Sequence, residues 1–170
     1  MAKCKNCDKD TVGKSKYCLI HREEARIAFK AMLDQKDKEK ILRERQFADI
    51  LALAKAKGRH AAETCVPEPM IVVQHKNPWD MNSEIVKQYA PVMDGVCGFA
   101  WITIKPANCA FANFIKKRED VQSHKGYYGG LEIWVGDYGQ SMERKAAYAG
   151  AFAAVLRENG INARAESRMD

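Results

Sequence analysis

The chain has 170 residues, room for one domain of ordinary size and a small appendage. Its 46% hydrophobic content with five prolines and eleven glycines is that of a globular protein, and no apolar run approaches bilayer-spanning length, so a transmembrane role is excluded. The formal net charge of +6 is unevenly spread: residues 1–21 hold five Lys against two Asp, residues 22–59 eleven Lys or Arg against seven acids, and residues 60–170 twelve against thirteen. Long-range attraction to a polyanion therefore belongs to the N-terminal third.

Residues 1–21 are short, polar and too poor in large apolar side chains to bury a core, so something else must hold them together. The opening residues run into charges and cysteines without an apolar signal core, and the six cysteines are expected to be those of a reducing, intracellular protein. Cys4-x2-Cys7 and Cys18-x2-His21 form the strongest pattern in the chain. Two side chains separated by two residues can curl around one ion, and two such pairs supply the tetrahedral sulfur and nitrogen set that zinc prefers. A redox disulfide is the competing reading of the thiols. Val12-Gly13-Lys14 suits a short turn, and Cys18 and His21 fall where a helix should begin. A knuckle, a hairpin and a helix whose first turn carries the last ligands resembles the treble-clef group of zinc modules, over about 25 residues. The resemblance implies one structural zinc ion on Cys4, Cys7, Cys18 and His21, with no position open for catalysis.

Residues 22–57 lack proline and glycine and are mainly good helix formers, which predicts a long basic helix or helical hairpin over 22–58 with Gly58 as its left-handed end. Apolar residues cluster at Ile27, Phe29, Met32 and Leu33 and again from Ile41 to Leu53, whereas residues 34–40 are wholly polar and should be solvated or hinged. Lys30, Arg43, Lys55, Lys57 and Arg59, joined by Lys14, Lys16, Arg22 and Arg26 near the zinc module, are the candidate phosphate contacts. The interspersed acids allow the alternative of a solvated helix laced with ion pairs.

Residues 59–78, with Pro67, Pro69 and Pro78, read as a linker in which residues 70–73 can form an edge strand. A compact domain over 79–170 comes next. Its VCGFAWITI segment, residues 96–104, is expected as the central strand, covered on both faces, with Trp101 in the core and Asp94-Gly95 turning the chain before it. Residues 108–117 carry Phe111, Phe114 and Ile115 on one helical face. Leu131, Ile133 and Val135 alternate with Glu132 and Trp134 as in a half-buried strand, Ser141 can cap a helix running to Glu158, and Asn159-Gly160 ends it before a last strand near Ile161 to Ala165. Strand and helix in alternation predict an α/β or α+β domain with a small, mainly parallel sheet and packed helices. Trp134 and Arg164 should lie on the face opposite those helices, covered by the long N-terminal helix or free for a ligand. Tyr127 and Tyr128 either add an aromatic platform there or form a simple turn.

The remaining cysteines have no recognisable nucleophile setting, and the chain contains no Gly-rich phosphate loop, no GxSxG and no HExxH. No catalytic residue is assigned, and binding is favoured over catalysis. The texture of SKYCLIHREEARIAFKAML, GGLEIWV and QSMERKAAYAGAFAAVLRENGI resembles small accessory proteins of tailed bacteriophages. That resemblance implies an accessory role exercised by binding, in the host cytoplasm or the virion, and brings no activity with it. The expected function is zinc-dependent binding of nucleic acid or a nucleic-acid-associated machine. The alternative is a structural or adaptor role in which the apolar helix face of Phe29, Met32, Leu33, Ile41, Leu42, Phe47, Ile50 and Leu51 docks on a protein.

Overall fold

The computed structural model describes residues 2–11 and 15–170; the expected turn at residues 12–14, and Lys14 with it, lies outside the described residues. The chain divides into two compact units, Met1–Gln46 and Phe47–Asp170. No described helix is long and apolar enough to cross a membrane.

In the first unit the chain reverses around the first cysteine pair. Lys3 and Asp10 form an antiparallel bridge, the Cys4 N–H donates to Lys9 O at 3.0 Å, and the Thr11 hydroxyl donates to Ala2 O at 2.9 Å. Helix α1, Leu19–Thr64, starts directly after Cys18 and continues into the second unit. It is helical throughout residues 34–40, so that polar stretch is solvated but not a break, as its run of strong helix formers dictates. Ile27, Phe29, Met32, Leu33, Ile41 and Leu42 are all exposed.

Gly58 does not end this helix. It is buried within α1, and a Cβ placed on it would stand 2.9 Å from two ring carbons of Tyr148. Glycine is needed there for close approach rather than for a left-handed backbone. The helix instead ends at Thr64, whose hydroxyl donates back to His60 O at 2.8 Å, before Pro67.

In the second unit, β1 (Val73–His75) and β2 (Ile85–Gln88) pair as an antiparallel ribbon, which the Met70–Val92 bridge extends. The other strands form a four-stranded sheet in the order β4-β5-β3-β6, from β3 (Gly98–Ile104), β4 (Ser123–Lys125), β5 (Leu131–Trp134) and β6 (Ala163–Met169). Helix α2, Ala110–Ile115, links β3 to β4, and α3, Met142–Glu158, links β5 to β6. The strand at 96–104 is central as expected, but every pairing is antiparallel, not parallel. The reason is β4: this short polar strand inserts a hairpin before β5, so each strand–helix–strand unit spans a gap filled by a strand of the other unit. The result is a split β-α-β arrangement in an α+β fold.

The core lies on one face of this sheet. Ala100, Ile102 and Ile104 of β3, Leu131 and Ile133 of β5 and Ala163 of β6 meet Phe111, Ala112 and Ile115 of α2 and Phe152, Ala153 and Leu156 of α3. Ser141 caps α3, accepting from the Arg144 N–H, and Gly160 at φ +74° lies just past its end, both as the sequence predicts. From α1, Leu51 and Ala54 join this core, with Phe47 and Ile50 packed against it. Hence α1 packs on the same face as α2 and α3 and does not cover the Trp134 face. An antiparallel sheet can leave one face open, which removes the argument for such coverage.

Candidate metal centre

The sequence brings four ligand atoms together because all lie within one short loop and the first turn of α1. One ligand atom each from Cys4, Cys7, Cys18 and His21 lies within 4.8 Å of the others. Cys7 Sγ is 3.7 Å from Cys18 Sγ, and His21 Nδ1 is 3.3 Å from Cys4 Sγ and 3.4 Å from Cys18 Sγ. A tetrahedral zinc ion with ordinary bond lengths requires sulfur–sulfur edges of ~3.8 Å and sulfur–nitrogen edges of ~3.6 Å. These three edges are close to those values, and with all four ligand atoms inside 4.8 Å of one another the set suits a metal ion such as zinc. Four protein donors would fill its coordination, the mark of a structural centre.

The electrostatics favour the thiolate at Cys4 and Cys18 but not at Cys7, where a backbone hydrogen bond at Lys9 is outweighed by burial and by the neighbouring Cys18 and Cys4 sulfurs, which push the thiol up. Burial pushes the Cys4 thiol up, but hydrogen bonds from the backbone of Cys18, Asn6 and Cys7 and from His21 outweigh it and bring Cys4 down to about 6. Cys18 is likewise lowered, chiefly by a backbone hydrogen bond at His21. His21 is raised, mainly by its hydrogen bond with Cys4. Its outer nitrogen, Nε2, stands 3.8 Å from the Glu24 carboxylate. At that distance the carboxylate is a charge neighbour and not a hydrogen-bond partner; a carboxylate that closes to hydrogen-bond distance behind a ligating imidazole orients the ring. Glu24 was missed at the sequence level, although its spacing of three from His21 on a helix was a usable signal.

The candidate phosphate contacts do not converge on one point. Lys16, Arg22, Lys30, Arg43, Lys57 and Arg59 are exposed, and among the described residues they enter no ion pair. Arg26 pairs with Glu23 at 3.3 Å, and Lys55 with Asp120 at 2.9 Å. Lys55 and Arg59 share a cleft of about 570 Å³ with Trp134, Gln122, Asp137 and Tyr148. Burial there pushes the Tyr148 phenol up to about 12.

The sheet-face candidates separate into two places. Tyr127 and Tyr128 stack edge to face at 5.0 Å on the β4–β5 turn, almost fully exposed. Trp134 lies at the other end of β5 and Arg164 on β6, across from Thr103. Trp101, expected in the core, is half-buried on the open face beside Trp134, the rings 5.6 Å apart and within 5° of parallel. The alternation of β3 decides this: Ala100, Ile102 and Ile104 take the core side, so Phe99, Trp101 and Thr103 must take the other.

Cys65, Cys97 and Cys109 are free and half-buried, and Cys109 serves as the N-cap of α2. Among the described residues, no second group of three or more His, Cys, Asp or Glu side chains gathers as a metal cluster. Comparison with family models, with curated proteins and with solved structures finds no match to this chain.

Proposed function

We propose that this protein is a zinc-binding accessory protein, of the treble-clef type and of the kind tailed bacteriophages encode, that binds nucleic acid or a nucleic-acid-associated machine. The observation that carries the zinc reading is the Cys3His set, whose four ligand atoms lie within 4.8 Å of one another, three of the edges being close to those of a tetrahedral zinc site. The nucleic-acid part is supported by the segment of α1 beyond the last ligand. Lys30, Lys36, Lys38, Lys40, Arg43 and Arg45 lie on this exposed stretch and, among the described residues, have no acidic partner within ion-pair distance. That weakens the alternative in which these charges serve mainly to pair with one another along the helix.

The test is duplex binding by the metal-loaded protein across a range of salt concentrations, beside a variant with Lys30, Lys36, Lys38, Lys40 and Arg43 changed to Gln. Binding should weaken steeply with salt in the parent, and the variant should show a shallower slope and lower affinity, because each cation that neutralises a phosphate releases a counterion. Equal duplex binding by the two proteins, or failure of both to bind duplex and single strand alike at low salt, refutes this reading.

One observation favours the adaptor alternative. Phe29, Met32, Leu33, Ile41 and Leu42 are each more than 40% exposed, a large apolar display for a helix in water. Phe47, Ile50 and Leu51, expected on the same docking face, are instead committed to the core of the second unit and are not available to a partner. Retention of a protein partner after nuclease treatment would favour the adaptor.

A further inference from the structure

The sheet of the second unit presents one face to the helices and another that is rich in aromatic rings. On that second face Trp101 and Trp134 sit directly opposite each other on the two central strands, nearly parallel at 5.6 Å. Phe99 lies 5.6 Å from Trp134 and His124 lies 6.1 Å from it on the other side. Two guanidinium groups border the rings: Arg168 stands 5.9 Å from the Phe99 ring, and Arg164 is paired in register with Thr103. Among the described residues neither arginine forms an ion pair; Glu166 lies between them on the same face, in register with Trp101, and Glu132 is engaged by His124 at 3.1 Å. Trp101 Nε1 and the hydroxyl of Thr103, a residue 4% exposed, are buried without a hydrogen-bond partner. Such orphaned groups are uncommon in folded proteins.

We propose that this face is a binding site for single-stranded nucleic acid, whose bases stack on Trp101 and Trp134 while Arg164 and Arg168 meet the adjoining phosphates. The proposal rests on the nucleic-acid reading above and adds which strand state is bound and where. The chemistry favours a single strand because duplex bases hide their faces in the helical stack, while unpaired bases expose them to aromatic side chains. Charge points the same way. Residues 47–170 carry fifteen basic and fourteen acidic residues, so this unit lacks the excess charge that holds a duplex by its backbone and must rely on stacking. The cleft of about 570 Å³ beside Trp134, with Arg59 on its wall in no ion pair among the described residues, provides a continuation for the nucleic-acid strand at the edge of the sheet.

The experiment uses the full-length, metal-loaded protein with Trp79, the exposed third tryptophan, changed to Phe, so that fluorescence reports Trp101 and Trp134 alone. Oligothymidylate of roughly 10 nucleotides should quench that fluorescence on binding, and a duplex should not. Trp134→Leu should weaken oligothymidylate binding roughly tenfold or more and leave duplex affinity unchanged. Arg164→Ala with Arg168→Ala, at two exposed side chains that cannot threaten the fold, should also weaken the single strand and flatten its salt dependence. This pair carries the test if Trp134→Leu fails to fold. Unquenched fluorescence together with unchanged oligothymidylate affinity in the arginine pair overturns the proposal. If the helix variant with its lysines neutralised loses single strand and duplex alike while the sheet-face variants lose neither, the face is wrong and the nucleic-acid reading stands. If the parent holds neither polymer at low salt, both fall.

Discussion

Gly58→Ala tests the packing of α1 in the second unit. Two effects oppose each other. In a helix interior alanine is favoured over glycine by about 1 kcal/mol, so an open helix face would gain that amount. Here, however, the added carbon would stand 2.9 Å from two carbons of the Tyr148 ring and 3.1 Å from a third. The ring packs against Phe152 and Tyr138, each at 5.9 Å, but it also lines the open cleft of about 570 Å³, so a small shift of the ring relieves part of the strain. Overpacking of this kind costs about 1–3 kcal/mol, which leaves a net destabilisation of roughly 0–2 kcal/mol after the propensity gain. For a unit of this size that lowers Tm by about 4 °C per kcal/mol. Thermal unfolding followed by near-ultraviolet circular dichroism measures it. Tyr148→Leu in the same background should recover part of the loss, with a coupling of about 1 kcal/mol in the double-mutant cycle. A Tm that rises by the full propensity gain, with no coupling to Tyr148, would refute the close approach.

Two further perturbations address the metal centre and the edge of the cleft. Cys7→Ser should abolish stoichiometric zinc, and a chelator added to the parent should unfold residues 2–21 while the sheet unit keeps its own melting transition, because Cys4, Cys18 and His21 have no large apolar core to fall back on; metal content and resolved amide exchange report the two events. Asp120 is held well below the usual carboxylate range, first by its hydrogen bond with Arg118 and then by Lys55. A depressed folded value means that its stabilising contribution is present above the ordinary carboxylate value and fades as pH falls toward the folded one, so Asp120→Asn should lower Tm at neutral pH by a margin that shrinks steadily below about pH 4. A margin independent of pH, or one that grows on acidification, would contradict the pairing.

Several elements were legible because their signals are local. The α3 boundaries come from Ser141 as a cap and Asn159-Gly160 as a stop, and β5 comes from the alternation of Leu131 and Ile133 with Glu132 and Trp134. Sheet direction was not legible, because it depends on β4. Ser123, His124 and Lys125 are polar, three residues long and without an apolar alternation, so nothing marks them as a strand until β5 is in place to pair with them. Without β4 the remaining alternation of strand and helix reads as a series of parallel crossovers. With it, the same helices join strands that are no longer neighbours. Gly58 misled for a related reason: a glycine at the end of a helix-forming run is a stop by local rules, and only the ring of Tyr148, distant in sequence, makes it an interior contact.

The two candidate sites differ in legibility on the same physical ground. Cys4 through His21 lie within 18 residues, so spacing alone constrains which atoms can surround one ion, and the observed edges reflect that spacing. The sheet face is assembled from β3, β5 and β6, with Trp101 and Trp134 separated by a helix, a strand and a turn. A central strand apolar at nearly every position reads as doubly buried, and that expectation placed Trp101 in the core. Its neighbours show why the inference failed: Ile102 meets Ile133 on one side of the sheet while Trp101 meets Trp134 on the other, so one register supplies both a packed core and a row of half-buried rings. Aromatic residues satisfy a hydrophobic pattern on either side, but their rings also retain flat surface and polar edges that aliphatic side chains lack. The pattern that identifies the strand therefore cannot distinguish a second core from a binding face; the pairing register and the side chosen by the helices make that distinction.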